Sequence, residues 1–281
     1  MQETYRNLLI EENGRIFIDV AYRGCGSGCQ YCYVASASEE QIVASYEDLR
    51  QAVEYLNRYY QNRECIISFC PNTEPFKTRD SIDRVLFVLK RLLGNKFYIQ
   101  ISTKEYISDD LLHELNILAE KNAIFINISM PFLETDTIEP GAAGIEKRAS
   151  NIERIQRCSY LKSGLYIKPC SPKAINDIEQ YIAIINRTQP DYICIGVAFD
   201  KKVDTPCATL HRENDASIVI SAQKDLILEF AERIKESVRC PVVYSSICAI
   251  IQAGSCNCSL GLWRYDRNLC NSCSVNHGDG D

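Results

Sequence analysis

Residues 17–34, FIDVAYRGCGSGCQYCYV, leave a β-branched run and pass straight into three cysteines, Cys25, Cys29 and Cys32, at C-x3-C-x2-C spacing. The run from Ile16 to Val20 predicts a strand, and the loop after a strand is where layered α/β folds keep their ligands. Gly24, Gly26 and Gly28 flank the first two cysteines and open the left-handed backbone conformations that wrapping a compact metal centre demands. Three thiolates this close in sequence can share one centre. On a four-iron cube, three cysteine ligands leave one iron open to a substrate. The other reading is a zinc site completed by a fourth ligand from elsewhere in the chain.

Downstream, short β-rich runs alternate with longer segments of helical period. Strands are predicted at 65–69, 97–102, 124–129, 165–169 and 192–197, and helices at 47–60, 80–93, 109–121, 145–158, 175–188 and 216–237. Helical segments of this length serve as crossovers between parallel strands, so the chain reads as six β/α units, an α/β protein built as a partial (β/α)6 barrel. YICIGV (192–197), apolar at nearly every position, suits a sheet covered on both faces. Residues at the C-terminal strand ends then carry the chemistry. CPVVYSSI (240–247) offers a seventh strand, after which the composition shifts to Cys, Gly, Asn and Ser. The expected division is a barrel domain over 1–240 and a Cys-rich metal-binding extension over 241–281.

With 281 residues, 46% of them hydrophobic and 24% charged, the chain has the composition of a globular protein with a sizeable core. It contains no apolar run long enough to cross a bilayer, and its start, MQETYRNLLIEENG, is too polar for a secretory signal. Seven of its 15 cysteines cluster in two metal-ligand spacings, which points to a reducing, cytoplasmic setting rather than to a disulfide framework. A net charge of −6 supplies no global attraction for a polyanion.

The C-x3-C-x2-C motif with Tyr31 before its third cysteine resembles the signature of the radical S-adenosylmethionine (SAM) superfamily. The resemblance implies that Cys25, Cys29 and Cys32 hold a 4Fe-4S cluster whose open iron takes the amino and carboxylate groups of SAM. It further implies reductive cleavage of SAM to methionine and a 5'-deoxyadenosyl radical, with Tyr31 and Tyr33 beside the adenine or the cluster. CPNTEPF (Cys70–Phe76) stands where many members carry a Gly-Gly-Glu-Pro-like segment against the SAM ammonium. The two glycines are missing here, and Asn72, Thr73 and Glu74 occupy the matching place. The polar strand end Ser102, Thr103, Lys104 and the segment TIEPGAAGIEKRASNIERI, with Glu139, Pro140 and Arg148, are similar to the spore photoproduct lyase-like subgroup. Asn127 and Ser129, two apart on one strand, share a face that can hydrogen-bond the SAM ribose or carboxylate. Arg148 offers a planar fork to a carboxylate; its alternative is an exposed helix charge paired with nearby Glu residues. The resemblance spans roughly residues 16–200.

Cys256, Cys258, Cys270 and Cys273 form C-x-C-x11-C-x2-C, sufficient for a second metal site, an auxiliary 4Fe-4S cluster or zinc, that would organise a tail with little apolar surface. His277 and Cys248 are possible replacement ligands. Cys70 and Cys170 stand at predicted strand ends and are candidate hydrogen-atom donors, or else buried small hydrophobes. The implied partners are a reductant such as flavodoxin or ferredoxin and a substrate that is a peptide or protein side chain or a metabolite. Repair of a DNA or nucleobase lesion is the alternative, and it predicts a basic groove to which Lys168, Lys173, Lys201 and Lys202 would contribute. The reading of another class is an iron-sulfur electron carrier or a zinc-stabilised interaction module without SAM chemistry.

Overall fold

The structure is a computed structural model that describes residues 7–12, 15–32, 34, 38–60, 62, 64–93, 97–196 and 215–252, with the backbone alone at 215–224 and 251–252. Eight strands form one sheet in the order β1 (Leu9–Glu12), β2 (Arg15–Ile18), β5 (Cys65–Phe69), β6 (Phe97–Thr103), β7 (Ala123–Ser129), β8 (Leu161–Ile167), β9 (Tyr192–Ile195) and β10 (Val242–Val243). β1 runs antiparallel to β2 and every other pair is parallel. Two short strands, β3 (Ala21–Arg23) and β4 (Ile42–Val43), pair separately and bracket the cysteine loop.

Each strand's neighbour in the sheet is the next sheet strand in sequence, so all crossovers wind the same way and, being right-handed, stack their helices on one face. Those helices are α1 (Tyr46–Tyr60), α2 (Arg79–Leu89), α3 (Asp109–Ala119), α5 (Ile145–Ile155), α7 (Ile178–Thr188) and α8 (Asp215–Ser237). Their apolar stripes, with Leu49, Val85, Leu115, Ile152, Ile185 and Phe230, share one core with Ile16, Ile67, Ile99, Ile126, Leu165 and Ile193 of the strands. The alternate strand residues form the opposite, concave face. Among the described residues β1 and β10 do not pair with each other, and the barrel is therefore partial.

The concave face has its own small core, in which Ile66, Phe125, Tyr192, Cys194 and Val243 pack against Ile247, Cys248, Ala249 and Ile250 of α9 (Ser246–Gln252). α9 thus enters the mouth of the barrel at the strands' N-terminal half. Arg15 donates to Ser246 Oγ at 2.9 Å and to Gln100 Oε1 at 2.8 Å, and the Gln100 amide donates to the Ser246 carbonyl. Cys248 lies in this core, and residues 253–281, with Cys256, Cys258, Cys270, Cys273 and His277, lie outside the described residues.

The predicted elements recur with shifts that have local causes. β8 begins at Leu161, four residues before the expected start, because its polar beginning, Lys162 and Ser163, finds partners on Asp191 just ahead of β9. The helix expected at 175–188 is two helices, α6 (Pro172–Asn176) and α7, separated at Asp177. Of the seventh-strand segment only Val242 and Val243 pair, and α9 takes over at Ser246. β1, β3, β4 and the short α4 (Thr135–Ile138) were not foreseen. Among the described residues no helix is long and apolar enough to cross a membrane.

Gly164 of β8 faces Tyr192 of β9, and a Cβ at Gly164 would overlap the Tyr192 ring. Overpacking of a filled core typically costs ~1–3 kcal/mol. Gly164→Ala is expected to destabilise the protein by that amount in urea unfolding, and much of the loss should disappear when Tyr192→Leu is added.

Candidate active site at the strand C-termini

The loop that leaves β3 carries the three cysteines past the C-terminal end of β2. Gly24, Gly26 and Gly28 have φ of 78°, 68° and 59°, so all three take the left-handed backbone their position called for. Cys29 is buried, Cys25 and Cys32 are half-buried, and all three are free thiols. The Cys32 N–H donates to the Cys29 carbonyl at 3.1 Å, the Val34 N–H to Cys32 Sγ at 3.4 Å, and the Lys104 ammonium to Cys29 Sγ at 3.2 Å. Burial and the nearby Glu74 carboxylate push the Cys25 thiol up to about 11. The three sulfurs share the loop, but among the described residues no three His, Cys, Asp or Glu side chains are gathered tightly enough to form a metal site. The donor set nonetheless suits a thiolate-bound cluster: free thiols, an N–H and an ammonium on sulfur, and glycine hinges between the ligands.

Three strand ends supply the surroundings. Glu74, after β5, is buried and accepts from the Thr103 hydroxyl, from the Lys104 N–H at 2.9 Å and from the Phe76 N–H at 3.4 Å. Burial raises its carboxyl to about 7 against those hydrogen bonds. Asn72 and Thr73 turn toward Asp19, to which Thr73 donates at 2.7 Å and Asn72 at 3.3 Å. Burial likewise lifts Asp19 to about 6. Lys104, past β6, sits 3.3 Å from Glu139 and stacks 4.9 Å from the Tyr31 ring centroid. Tyr31 donates to Glu139, and burial pushes its phenol far up.

With this geometry in place, comparison with known proteins bears on the fold alone. No family model matches the chain, and no curated protein matches it. Among solved structures, a doubly substituted spore photoproduct lyase with bound AdoMet and dinucleoside spore photoproduct superposes with a TM-score of 0.57 at 13% identity, over 80% of this chain and 75% of that one. The same lyase complexed with dinucleoside spore photoproduct gives 0.55 at 13%, over 75% and 72%. The chain has the fold of spore photoproduct lyase.

The other expected site residues divide by where the chain places them. Ser102, Asn127 and Ser129 lie near the ends of β6 and β7, where Asn127 donates to Ser102 Oγ at 3.3 Å and accepts from Tyr192, so its amide is already engaged. Arg148 is neither exposed nor turned to solvent, contrary to its alternative reading as a surface helix charge: it is fully buried. It pairs with Glu139 at 2.6 Å and donates to the Ser129 carbonyl at 2.9 Å and the Ala143 carbonyl at 2.6 Å. Among the described residues its Nη2 has no hydrogen-bond partner. Cys70 and Cys170 are buried in the core between sheet and helices. Cys70 takes φ 53° and adjoins Asp19 and Thr73, whereas Cys170 lies near Tyr181 of α7. Tyr33 lies outside the described residues, as do Lys201 and Lys202. Asp19 was missed; its signal was an acid inside an otherwise apolar strand run. Glu139 was noticed only through the family resemblance.

Asp19 and Glu74 both hold their protons more tightly in the folded chain than their ordinary values of 3.8 and 4.5 imply. Such groups favour folding at acid pH, and their contribution is lost as the pH rises through the folded values. Stability should therefore decline between about pH 4 and pH 7 from this source. In an Asp19→Asn/Glu74→Gln variant, urea unfolding is expected to show a decline smaller by on the order of 6 kcal/mol.

Proposed function

We propose that the chain is a radical SAM enzyme that cleaves SAM reductively and takes a hydrogen atom from a substrate. The observation that carries this reading is the placement of the C-x3-C-x2-C loop, with its ammonium-contacted Cys29, at the C-terminal mouth of a singly wound partial barrel. Cys25, Cys29 and Cys32 would hold a 4Fe-4S cluster. When bound, the cluster supplies the electron that breaks a C–S bond of SAM, giving methionine and a 5'-deoxyadenosyl radical.

The chain's own residues supply position and water exclusion. Glu74 and the carbonyls at the ends of β5 and β6 offer acceptors to the SAM ammonium, and Lys104 offers a cation to its carboxylate. Tyr31, next to Cys32 in the loop, packs against Phe132 at 5.2 Å between ring centroids; Tyr33, outside the described residues, is assigned beside the adenine or the cluster on the family resemblance alone. Ser102, Asn127 and Ser129 line the concave face above the α9 plug. A reductant such as flavodoxin or ferredoxin delivers the electron, and the substrate is a peptide or protein side chain or a metabolite. Cys70 and Cys170 are the candidates to return a hydrogen atom; both lie in the core between sheet and helices, and Cys70 adjoins Asp19 and Thr73. The Cys256, Cys258, Cys270 and Cys273 set is assigned to a second cluster or zinc on its spacing alone.

A dinucleotide lesion is the second reading, favoured by the bound dinucleoside spore photoproduct in two similar structures. The net charge of −6 weighs against a long nucleic-acid track.

Anaerobically reconstituted protein with dithionite is expected to form 5'-deoxyadenosine from SAM, and a Cys25→Ala/Cys29→Ala/Cys32→Ala variant is expected to fall to background by chromatography. A cluster-loaded parent that leaves SAM intact, with candidate substrates present, would turn the reading toward an electron carrier. Conversion of a dinucleoside lesion in the same assay selects the second reading over the first.

A further inference from the structure

Beside the cysteine loop, Glu139 engages two cations and a phenol. One carboxylate oxygen meets Arg148 Nη1 at 2.6 Å; the other meets Lys104 Nζ at 3.3 Å and accepts from the Tyr31 hydroxyl. Lys104 in turn donates to Cys29 Sγ at 3.2 Å. With a cluster bound, the charges would alternate along a chain: Arg148 positive, Glu139 negative, Lys104 positive, the Cys29 ligand sulfur negative. Arg148 and Glu139 are both buried, at 0% and 1% exposure, so solvent screens little of this sequence of charges.

The backbone around Glu139 is fastened to the same loop. The Gln30 N–H donates to the Ile138 carbonyl at 3.0 Å, and the Gly141 N–H to the Ser27 carbonyl at 3.0 Å. A Cβ at Gly141 would overlap the Gly26 carbonyl, so the 138–141 segment lies flush on the loop. Lys77 donates to the Gly141 carbonyl and pairs with Glu105 at 2.8 Å, closing the far side.

We propose that Glu139 and Lys104, anchored by Arg148, are positioning residues whose opposed charges set the reduction potential of the centre held by Cys29 and its two partner cysteines. The proposal rests on the cluster assignment above. Cluster potentials respond to net charge and to hydrogen bonds on the sulfurs, and reduction adds one electron to the centre. A cation near sulfur favours the reduced form, and an anion near sulfur opposes it. Glu139 offsets Lys104 at close range while holding its ammonium on Cys29.

The test is a redox titration of the anaerobically reconstituted full chain, followed by electron paramagnetic resonance of the reduced cluster, with iron and sulfide per chain determined for each variant. Glu139→Gln keeps an acceptor for Lys104 and Tyr31 but removes the negative charge, and the midpoint is expected to rise. Lys104→Gln removes the positive charge, and the midpoint is expected to fall; Lys104→Arg should restore it toward the parent. Shifts of the same sign in Glu139→Gln and Lys104→Gln, or no shift in cluster-loaded variants, would overturn the proposal, because a loosened loop alone has no reason to split the two signs. If Glu139→Gln fails to fold, the Lys104 pair decides: a fall with Gln reversed by Arg supports the proposal, and any other pattern overturns it. A loaded parent that shows the opposed shifts but cleaves no SAM overturns the functional reading alone. A parent that takes up no iron-sulfur cluster overturns both.

Discussion

The buried ion pair between Glu139 and Arg148 is the joint on which the upper half of the molecule depends. Removing two charges from water is costly, and such a pair holds its ground only when its remaining hydrogen-bonding capacity is met. Here it is nearly met. Arg148 reaches the last residue of β7 through the Ser129 carbonyl and the loop before α5 through the Ala143 carbonyl, while Glu139 takes Tyr31 and Lys104. One pair thus fixes a strand end, a helix entry and the cysteine loop to one another. Replacing it with apolar residues of similar volume could preserve stability, but it would release the geometry of all three.

Below that joint the barrel is organised in layers. Toward the N-terminal ends of the strands, α9 meets Phe125, Tyr192 and Ile66 in an apolar plug. The next layer is polar, and its members hydrogen-bond one another: Arg15, Ser68 and Gln100 on one side, Ser102, Asn127 and Tyr192 on the other. A buried polar layer of this kind is stable because its members pair with one another, and it admits one arrangement rather than many. Tyr192 belongs to both layers. Its ring occupies the space that Gly164 leaves empty, and its hydroxyl holds Asn127.

Much of this architecture was legible in the sequence, because strands with apolar residues on both faces and helices with a single apolar stripe carry strong periodic signals. The six β/α units, the cysteine loop and its three left-handed glycines could be read directly. What could not be read were pairings between residues distant in the chain. Nothing local to Arg148 announces that Glu139 and the Ser129 carbonyl will enclose it; on helix periodicity a charged residue at that position is equally a surface residue. Asn127 looks like a free ligand until the Tyr192 hydroxyl, 65 positions away, takes its carbonyl. β8 was placed late for the same reason, since the partners of Lys162 and Ser163 come from Asp191.

The asymmetry between the two ends of the barrel decides where chemistry can occur. At the plugged end Arg15, Gln100 and Ser246 hydrogen-bond one another, and α9 packs an apolar layer beside them. At the other end the carboxyls of Asp19 and Glu74 are held with raised proton affinities, Lys104 bridges a carboxylate and a thiol, and the cysteine loop spans the opening. Charged groups kept partly out of water in this way act strongly on whatever comes to lie between them. A ligand approaching from the plugged side would have to displace α9, whereas one approaching from the loop side meets acceptors for an ammonium and a cation for a carboxylate. The same strand direction that sends the helices to one face therefore also gathers the reactive groups at one end.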